Sequence, residues 1–211
     1  MEWHAMVLLG AFHGINPGMG WLFAVALGMQ AGSGRGVWRA LPPIALGHAL
    51  AVAAILMVAA LAQVLIPLAT LKIVVACCLS TLGVYRLLRH RHPRFGGMRV
   101  GFRDLMVWSF LMASAHGAGF MVLPFVMAMP ADVLAAAHTH AGHAAANTAL
   151  PLTGAIALAL HTLAYLATTT LAAHVVYRKL GLSLLRTAWV NMDAMWAGSL
   201  LVTGLFVLLT G

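Results

Sequence analysis

Histidine is the residue in this sequence best suited to chemistry, because imidazole binds transition metals and exchanges a proton near neutral pH. Of the 11 histidines, four stand inside long apolar stretches: His13, His48, His116 and His161. An ionisable side chain inside a bilayer is costly and usually faces the bundle interior or a water-filled path. A single such histidine is well explained as a neutral ring bonded to a backbone carbonyl, but four together predict metal ligands.

The segment that begins at His13 is the most specific feature of the sequence. His13 and Asn16 are three residues apart and therefore share one helix face. Pro17 lacks an amide hydrogen, so the His13 carbonyl loses its usual helical donor. Imidazole, amide and freed carbonyl together predict a cation or substrate site, with Asn16 and Pro17 as substrate-binding residues. The alternative is a small-residue packing face with a proline kink.

Two further groups of residues are candidates for binding. Asp193 is the only carboxylate inside a predicted span and, with nearby Asn191, is a candidate substrate contact. The run 138–143 contains three histidines and no lysine or arginine, a composition that suggests metal capture. The three are His138, His140 and His143. The alternative for this run is a flexible external loop with incidental histidines.

The composition shows which elements must position these residues. The chain of 211 residues is 63% hydrophobic and only 8% charged, whereas a soluble domain carries about 25% charged residues. Such a chain cannot cover a globular surface with water-compatible groups, so its predicted environment is the lipid bilayer. The net charge of +8 comes from basic residues that flank apolar runs, which predicts membrane topology and no nucleic-acid partner.

The predicted fold is an all-α integral membrane protein with six spanning helices. Each apolar run is too long for a barrel strand, and the runs cover 4–30, 41–66, 70–88, 105–129, 151–176 and 188–209. All the lysines and arginines except Lys72 fall on alternate loops. The positive-inside pattern therefore predicts a multi-pass protein of a bacterial-type inner (plasma) membrane, with both termini outside.

The two halves of the chain share short motifs, which predicts an internal repeat. His13-Gly14 recurs as His116-Gly117, each preceded by alanine or phenylalanine, and His48 and His161 lie in similar apolar runs. Three spans per half is an odd number, so the second half would be inverted, as in many transporters. This predicts a central site at His13 and His116, with His48 toward the cytoplasm and His161 toward the outside. The predicted units are a first repeat at 1–90, a basic cytoplasmic loop at 91–103, and a second repeat at 104–211 with an external histidine loop at 130–150.

Six spans, an inverted repeat and a His-x-x-Asn/Asp-Pro motif resemble the lysine-exporter superfamily, nearest its nickel/cobalt transporter and urease-accessory membrane group. That group's first-span motif aligns with His13, Asn16 and Pro17. This chain has Asn16 and Gly18 where the group has acidic residues, and Met19 where it has a second histidine. The resemblance implies a transporter, and the missing carboxylates favour a softer metal or a different substrate on the same scaffold.

The leading hypothesis is a non-enzymatic membrane transporter or exporter whose cargo is a transition-metal cation, namely nickel, cobalt, copper or zinc. One alternative is a membrane redox protein that binds haem b through paired histidines such as His13 and His116. Another is a partner or assembly subunit of a membrane complex, with structural histidines. A homo-oligomer is compatible with each hypothesis.

Overall fold

The computed structural model describes residues 2–88, 101–128, 144–180 and 192–210. These residues are almost entirely helical and contain no strand, which confirms the predicted all-α class. The helices are α1 (Glu2–Ile15), α2 (Trp21–Gln30), α3 (Gly34–Leu65), α4 (Leu68–Leu88), α5 (Phe102–Ala115), α6 (Ala118–Ala128), α7 (Ala144–Val175) and α8 (Met192–Thr210). Asn191 and the histidines at 138, 140 and 143 lie outside the described residues.

Two of the described helices are long and apolar enough to cross a membrane, over Gly34–Ala62 in α3 and over Gly154–Lys179, which covers most of α7 and the π-helical turn (Val176–Leu180) that follows it. A third candidate is the bent pair α5–α6, whose halves meet at an angle of 61°. The remaining apolar helices are shorter. Large apolar side chains cover the outer surface of the bundle, including Leu8, Met57, Leu65, Leu171 and Leu209.

The first apolar run is interrupted at Asn16, so α1 and α2 are separate helices. Pro17 cannot donate a backbone hydrogen bond, and the chain makes a 3-10 turn over Pro17–Met19. Gly20 then adopts a φ of 134°, a conformation that favours glycine because it has no Cβ. The break therefore follows directly from the proline and glycine residues that the sequence places there.

The second broken helix, formed by α5 and α6, is interrupted in a similar way at His116 and Gly117. His116 ends α5, and Gly117 has a φ of 72°. Residues with a side chain rarely adopt this left-handed backbone conformation, which glycine allows and which turns the chain out of the helix. Each of the two breaks thus lies beside a buried histidine, His13 in one case and His116 in the other.

Glycines bring α1 very close to α7. A Cβ on Gly10 would lie 2.2 Å from the His161 carbonyl oxygen, and a Cβ on Gly14 would lie 2.6 Å from the Tyr165 carbonyl oxygen. The later residue of α1 thus contacts the later residue of α7, so the two helices run in the same direction. This close packing places His13 beside the middle of α7.

The second broken helix packs along α3 in the same manner. A Cβ on Gly47 would meet the Met106 carbonyl oxygen at 2.1 Å, and a Cβ on Gly119 would meet Ile55. Thus α3 runs in the same direction as α5–α6. Each broken helix lies along the long helix from the other half of the chain, while α4 packs against α8.

Candidate functional site

His13 has a ring orientation set by its own helix. Its Nδ1 donates to the Leu9 carbonyl oxygen at 2.7 Å, so the proton of the neutral ring is on Nδ1 and Nε2 carries a lone pair. The ring is fully buried, and Nε2 has no hydrogen-bond partner within the described residues. Buried polar atoms are normally paired, so this lone pair calls for a ligand.

His48 of α3 and His161 of α7 form the second part of the site. Their Nε2 atoms are 3.2 Å apart and both rings are fully buried. Two neutral imidazoles at this distance share one N–H···N hydrogen bond. The Nδ1 atom of His48 has no hydrogen-bond partner in the described part of the chain. The Tyr165 ring stacks on His48 with ring centres 3.9 Å apart.

Together His13, His48 and His161 form a compact histidine trio. The ring centres are 4.9 Å apart for His13–His161, 5.4 Å for His48–His161 and 5.5 Å for His13–His48. Three imidazoles bound to one tetrahedral metal have ring centres about 5 Å apart, given metal–nitrogen bonds of about 2.0–2.1 Å. The spacing of the rings suits a metal ion.

The orientation of the rings is different from that of a preformed metal site. Nowhere in the part of the chain that the structure describes do three His, Cys, Asp or Glu side chains form a group arranged to hold a metal ion. The reason lies in the hydrogen bond between His48 and His161, because it directs their Nε2 atoms at each other. The His48–His161 pair is therefore closed on itself, whereas His13 Nε2 has no hydrogen-bond partner within the described residues.

His116 is joined to the trio through Trp196 of α8. Like His13, it donates from Nδ1 to the carbonyl four residues earlier, that of Met112, at 2.7 Å. The Trp196 ring centre lies 4.6 Å from that of His13 and 5.5 Å from that of His116. Trp196 also stacks on Phe12 with ring centres 5.1 Å apart. The indole thus fills the space beside both histidines.

This arrangement differs from the predicted one in which His48 and His161 lie toward opposite faces. That prediction was wrong, because the two Nε2 atoms are in contact and the rings share one depth. The predicted spans began at residues 41 and 151, whereas α3 begins at Gly34 and α7 at Ala144. The longer helices place both histidines near mid-helix, where α3 and α7 meet.

Asn16 and Pro17 have mainly structural contacts. The Asn16 side-chain oxygen accepts from the Gly18 amide at 2.9 Å and so caps the 3-10 turn. The His13 carbonyl is not free as predicted, because it accepts from the Asn16 amide at 3.3 Å. A turn of 3-10 type supplies this donor three residues on, where the proline cannot. Asp193 lies in the first turn of α8.

Sequence analysis missed two residues of the site, Tyr165 and Trp196. Tyr165 is four residues after His161 and therefore lies on the same helix face, a signal that was present in the sequence. Its hydroxyl donates to the Met19 carbonyl oxygen and so ties α7 to the break between α1 and α2. No spacing rule relates Trp196 to His116, which is 80 residues away.

Tryptophan N–H groups occupy a carbonyl oxygen at each helix break. Trp21 donates to Ile15 at 2.9 Å, and Trp196 donates to His116 at 2.7 Å. A helix end leaves carbonyl oxygens without intrahelical donors, and these indoles satisfy one at each break. These two carbonyl oxygens already accept hydrogen bonds that stabilise the breaks, so they are not available to a ligand.

We expect Trp196→Phe to destabilise the protein, because it removes the indole N–H that donates to the buried His116 carbonyl and also leaves part of the space of the indole unfilled. The expected cost is about 1–3 kcal/mol. Thermal unfolding of the detergent-purified protein measures it. Trp38→Phe is the control, since the Trp38 side chain is 57% exposed. Equal unfolding temperatures for the two variants would contradict a stabilising role for the Trp196 N–H.

Comparison with known proteins adds no family to this description. No protein-family model, curated protein or solved structure matches the chain. The resemblance of the His13 segment to the lysine-exporter superfamily therefore stays a prediction. Function has to be argued from the chemistry of the site.

Proposed function

We propose that this protein is an integral membrane transporter of a transition-metal cation, with His13, His48 and His161 as the cation ligands. The observation that carries the proposal is the Nε2 atom of His13, a buried lone pair that has no partner in the described ranges and lies beside two further imidazoles. Metal-binding histidines commonly donate their other ring N–H to a backbone carbonyl. His13 does so to Leu9.

Membrane insertion is supported by composition and by surface. With 8% charged residues and exposed leucines on several helices, the bundle has an outer surface suited to acyl chains. A soluble monomer rarely exposes large continuous apolar patches. In such a setting buried polar clusters are expensive and usually functional, which applies to the histidine trio.

Cation binding would replace the hydrogen bond between His48 and His161. With the proton of each ring on Nδ1, both Nε2 atoms present lone pairs to the ion. A tetrahedral metal with nitrogen ligands at about 2.0–2.1 Å separates those nitrogens by about 3.3 Å. The two Nε2 atoms are already 3.2 Å apart in their hydrogen bond, so the rings would have to turn toward the ion and not move apart. Neutral nitrogen ligands favour zinc, copper, nickel or cobalt over calcium and magnesium, which prefer oxygen.

The helix arrangement supports transport in particular. Transporters often carry discontinuous helices at a site between two inverted repeats. Here α1–α2 and α5–α6 are both broken, and each packs along the long helix of the other half. We propose six spans formed by α1–α2, α3, α4, α5–α6, α7 and α8, with inverted halves, both termini outside and the basic loops in the cytoplasm.

The haem alternative fits the site poorly. His13 and His116 are both buried, with 2% or less of either side chain exposed. The indole of Trp196 packs against both rings and stacks on Phe12. A tetrapyrrole between the two histidines would have to displace that indole. A role as a partner subunit of a membrane complex stays a separate prediction.

The test uses cobalt(II) as a spectroscopic probe of the detergent-purified protein. We expect about one equivalent of cobalt per chain with the strong visible absorption of tetrahedral nitrogen coordination. In proteoliposomes, elemental mass spectrometry is expected to show uptake of cobalt, nickel or zinc above that of protein-free vesicles. Absence of both binding and uptake would refute the proposal, and stoichiometric iron with a Soret band would favour haem.

A further inference from the structure

The end of the bundle where α3 begins and α7 finishes carries an aromatic and basic surface. Trp38 of α3 and His174 of α7 are in contact, with ring centres 6.5 Å apart. Arg35 lies one turn earlier in α3, and Arg178 lies four residues after His174, in the π-helical turn Val176–Leu180 that follows α7. Tyr177 packs nearby against Gly28 and Gly34.

Four cations define this surface, and all of them are exposed: Arg35, Arg39, Arg178 and Lys179. Neither α3 nor the segment from α7 to Leu180 contains an aspartate or glutamate. Asp104, at the start of neighbouring α5, accepts from the Gly101 amide at 2.9 Å. The surface therefore has an excess of positive charge with no carboxylate on either helix to pair with it.

The depth of this surface identifies the anion that would neutralise it. The two unbroken candidate spans reach this end at Gly34 and at Lys179, so in a bilayer the four cations would lie at headgroup level. Exposed tryptophans such as Trp38 are typical of that level. Arginine guanidinium groups bind phosphate oxygens in a bidentate manner.

We infer that the start of α3 and the end of α7 bind the headgroup of an anionic phospholipid, with Arg35 and Arg178 as its main phosphate contacts. Clusters of basic residues between helices are known recognition sites for such headgroups. The inference rests on the membrane insertion in the proposed function and does not depend on cation transport. The proposed ligand is a lipid of the surrounding bilayer and not a soluble anion.

The experiment measures phosphatidylglycerol binding to delipidated protein in detergent, through the rise in unfolding temperature. We expect a rise with phosphatidylglycerol that phosphatidylcholine does not cause. In the double variant R35Q/R178Q, apparent affinity for phosphatidylglycerol should fall about thirtyfold, as two basic contacts are removed. Lys72→Gln is the matched control, because Lys72 lies in α4 close to the opposite end of α3.

Each other outcome counts against the inference. Equal affinities for the wild type and R35Q/R178Q, or an equal loss in Lys72→Gln, would overturn it. An equal rise with water-soluble glycerol phosphate would show a soluble-anion site instead. The unfolding temperature in phosphatidylcholine alone checks that the double variant is folded. Recovery of the wild type from cells without detergent would refute the membrane proposal itself, which is a different failure.

Discussion

Replacing His13 with alanine is expected to weaken cation binding by at least about 100-fold, since even outer-shell changes at metal sites cost 10–100-fold, and to abolish cation uptake. His13 supplies a buried lone pair that is already directed by a hydrogen bond and that has no partner among the residues the structure describes. His116→Ala is expected to bind the cation with much less loss, because His116 contacts Trp196 outside the histidine trio. Cobalt titration and vesicle uptake measure both variants.

His4→Ala is the matched control for His13→Ala. His4 lies on the same helix, α1, but its side chain is exposed, so binding and uptake should stay at the wild-type level. A fully active His13→Ala protein would exclude the histidine trio as the cation site. Equal losses in His13→Ala and His116→Ala would instead favour the central pair that sequence analysis predicted.

Gly10→Ala is expected to destabilise the protein by about 3 kcal/mol or more, at the upper end for overpacked substitutions. The added Cβ would lie 2.2 Å from the His161 carbonyl oxygen. Neither partner can yield easily, because the oxygen belongs to the backbone of α7 and the position of a Cβ is fixed by the backbone of α1. The helices α1 and α7 would have to separate, which would also move His13 away from His161.

Gly198→Ala is the control, and its expected effect on stability has the opposite sign to that of Gly10→Ala. Within the described residues, nothing lies within 4 Å of a Cβ at Gly198, and alanine favours a helix over glycine by about 1 kcal/mol. This variant should therefore unfold at the same temperature as the wild type or above it. A Gly10→Ala protein as stable as Gly198→Ala would mean that α1 and α7 do not pack as closely as described.

Hydropathy predicted the positions of the helices well, because long apolar runs leave little choice but helix. It did not predict where the long helices begin. In α3 the polar residues before residue 41 and the prolines Pro42 and Pro43 are all helical. A hydropathy window finds where the chain meets lipid, which is not the same as where the helix starts. The predicted depths of His48 and His161 were wrong for this reason.

The burial of the four histidines was predictable, whereas their grouping was not. All four have 2% or less of the side chain exposed, as expected for polar residues that face the interior of a bundle. Which rings meet depends on the crossing of α3 with α7 and on the close approach that Gly10 and Gly14 allow. Such contacts between distant segments leave no periodic signal in one sequence.

The two tryptophan donors make the broken helices mechanically unequal. Trp21 belongs to the same broken helix as the Ile15 carbonyl to which it donates, so this hydrogen bond lies within the first broken helix. Trp196 reaches the His116 carbonyl from α8, and α8 is packed along α4. Hinge motion at the second break must therefore carry α8 with it or break that bond, whereas the first break is also bonded to α7, through the Tyr165 hydroxyl and the Met19 carbonyl oxygen. The two breaks are thus bonded to different helices, the first to α7 and the second to α8, so motion at each would be passed to a different part of the bundle.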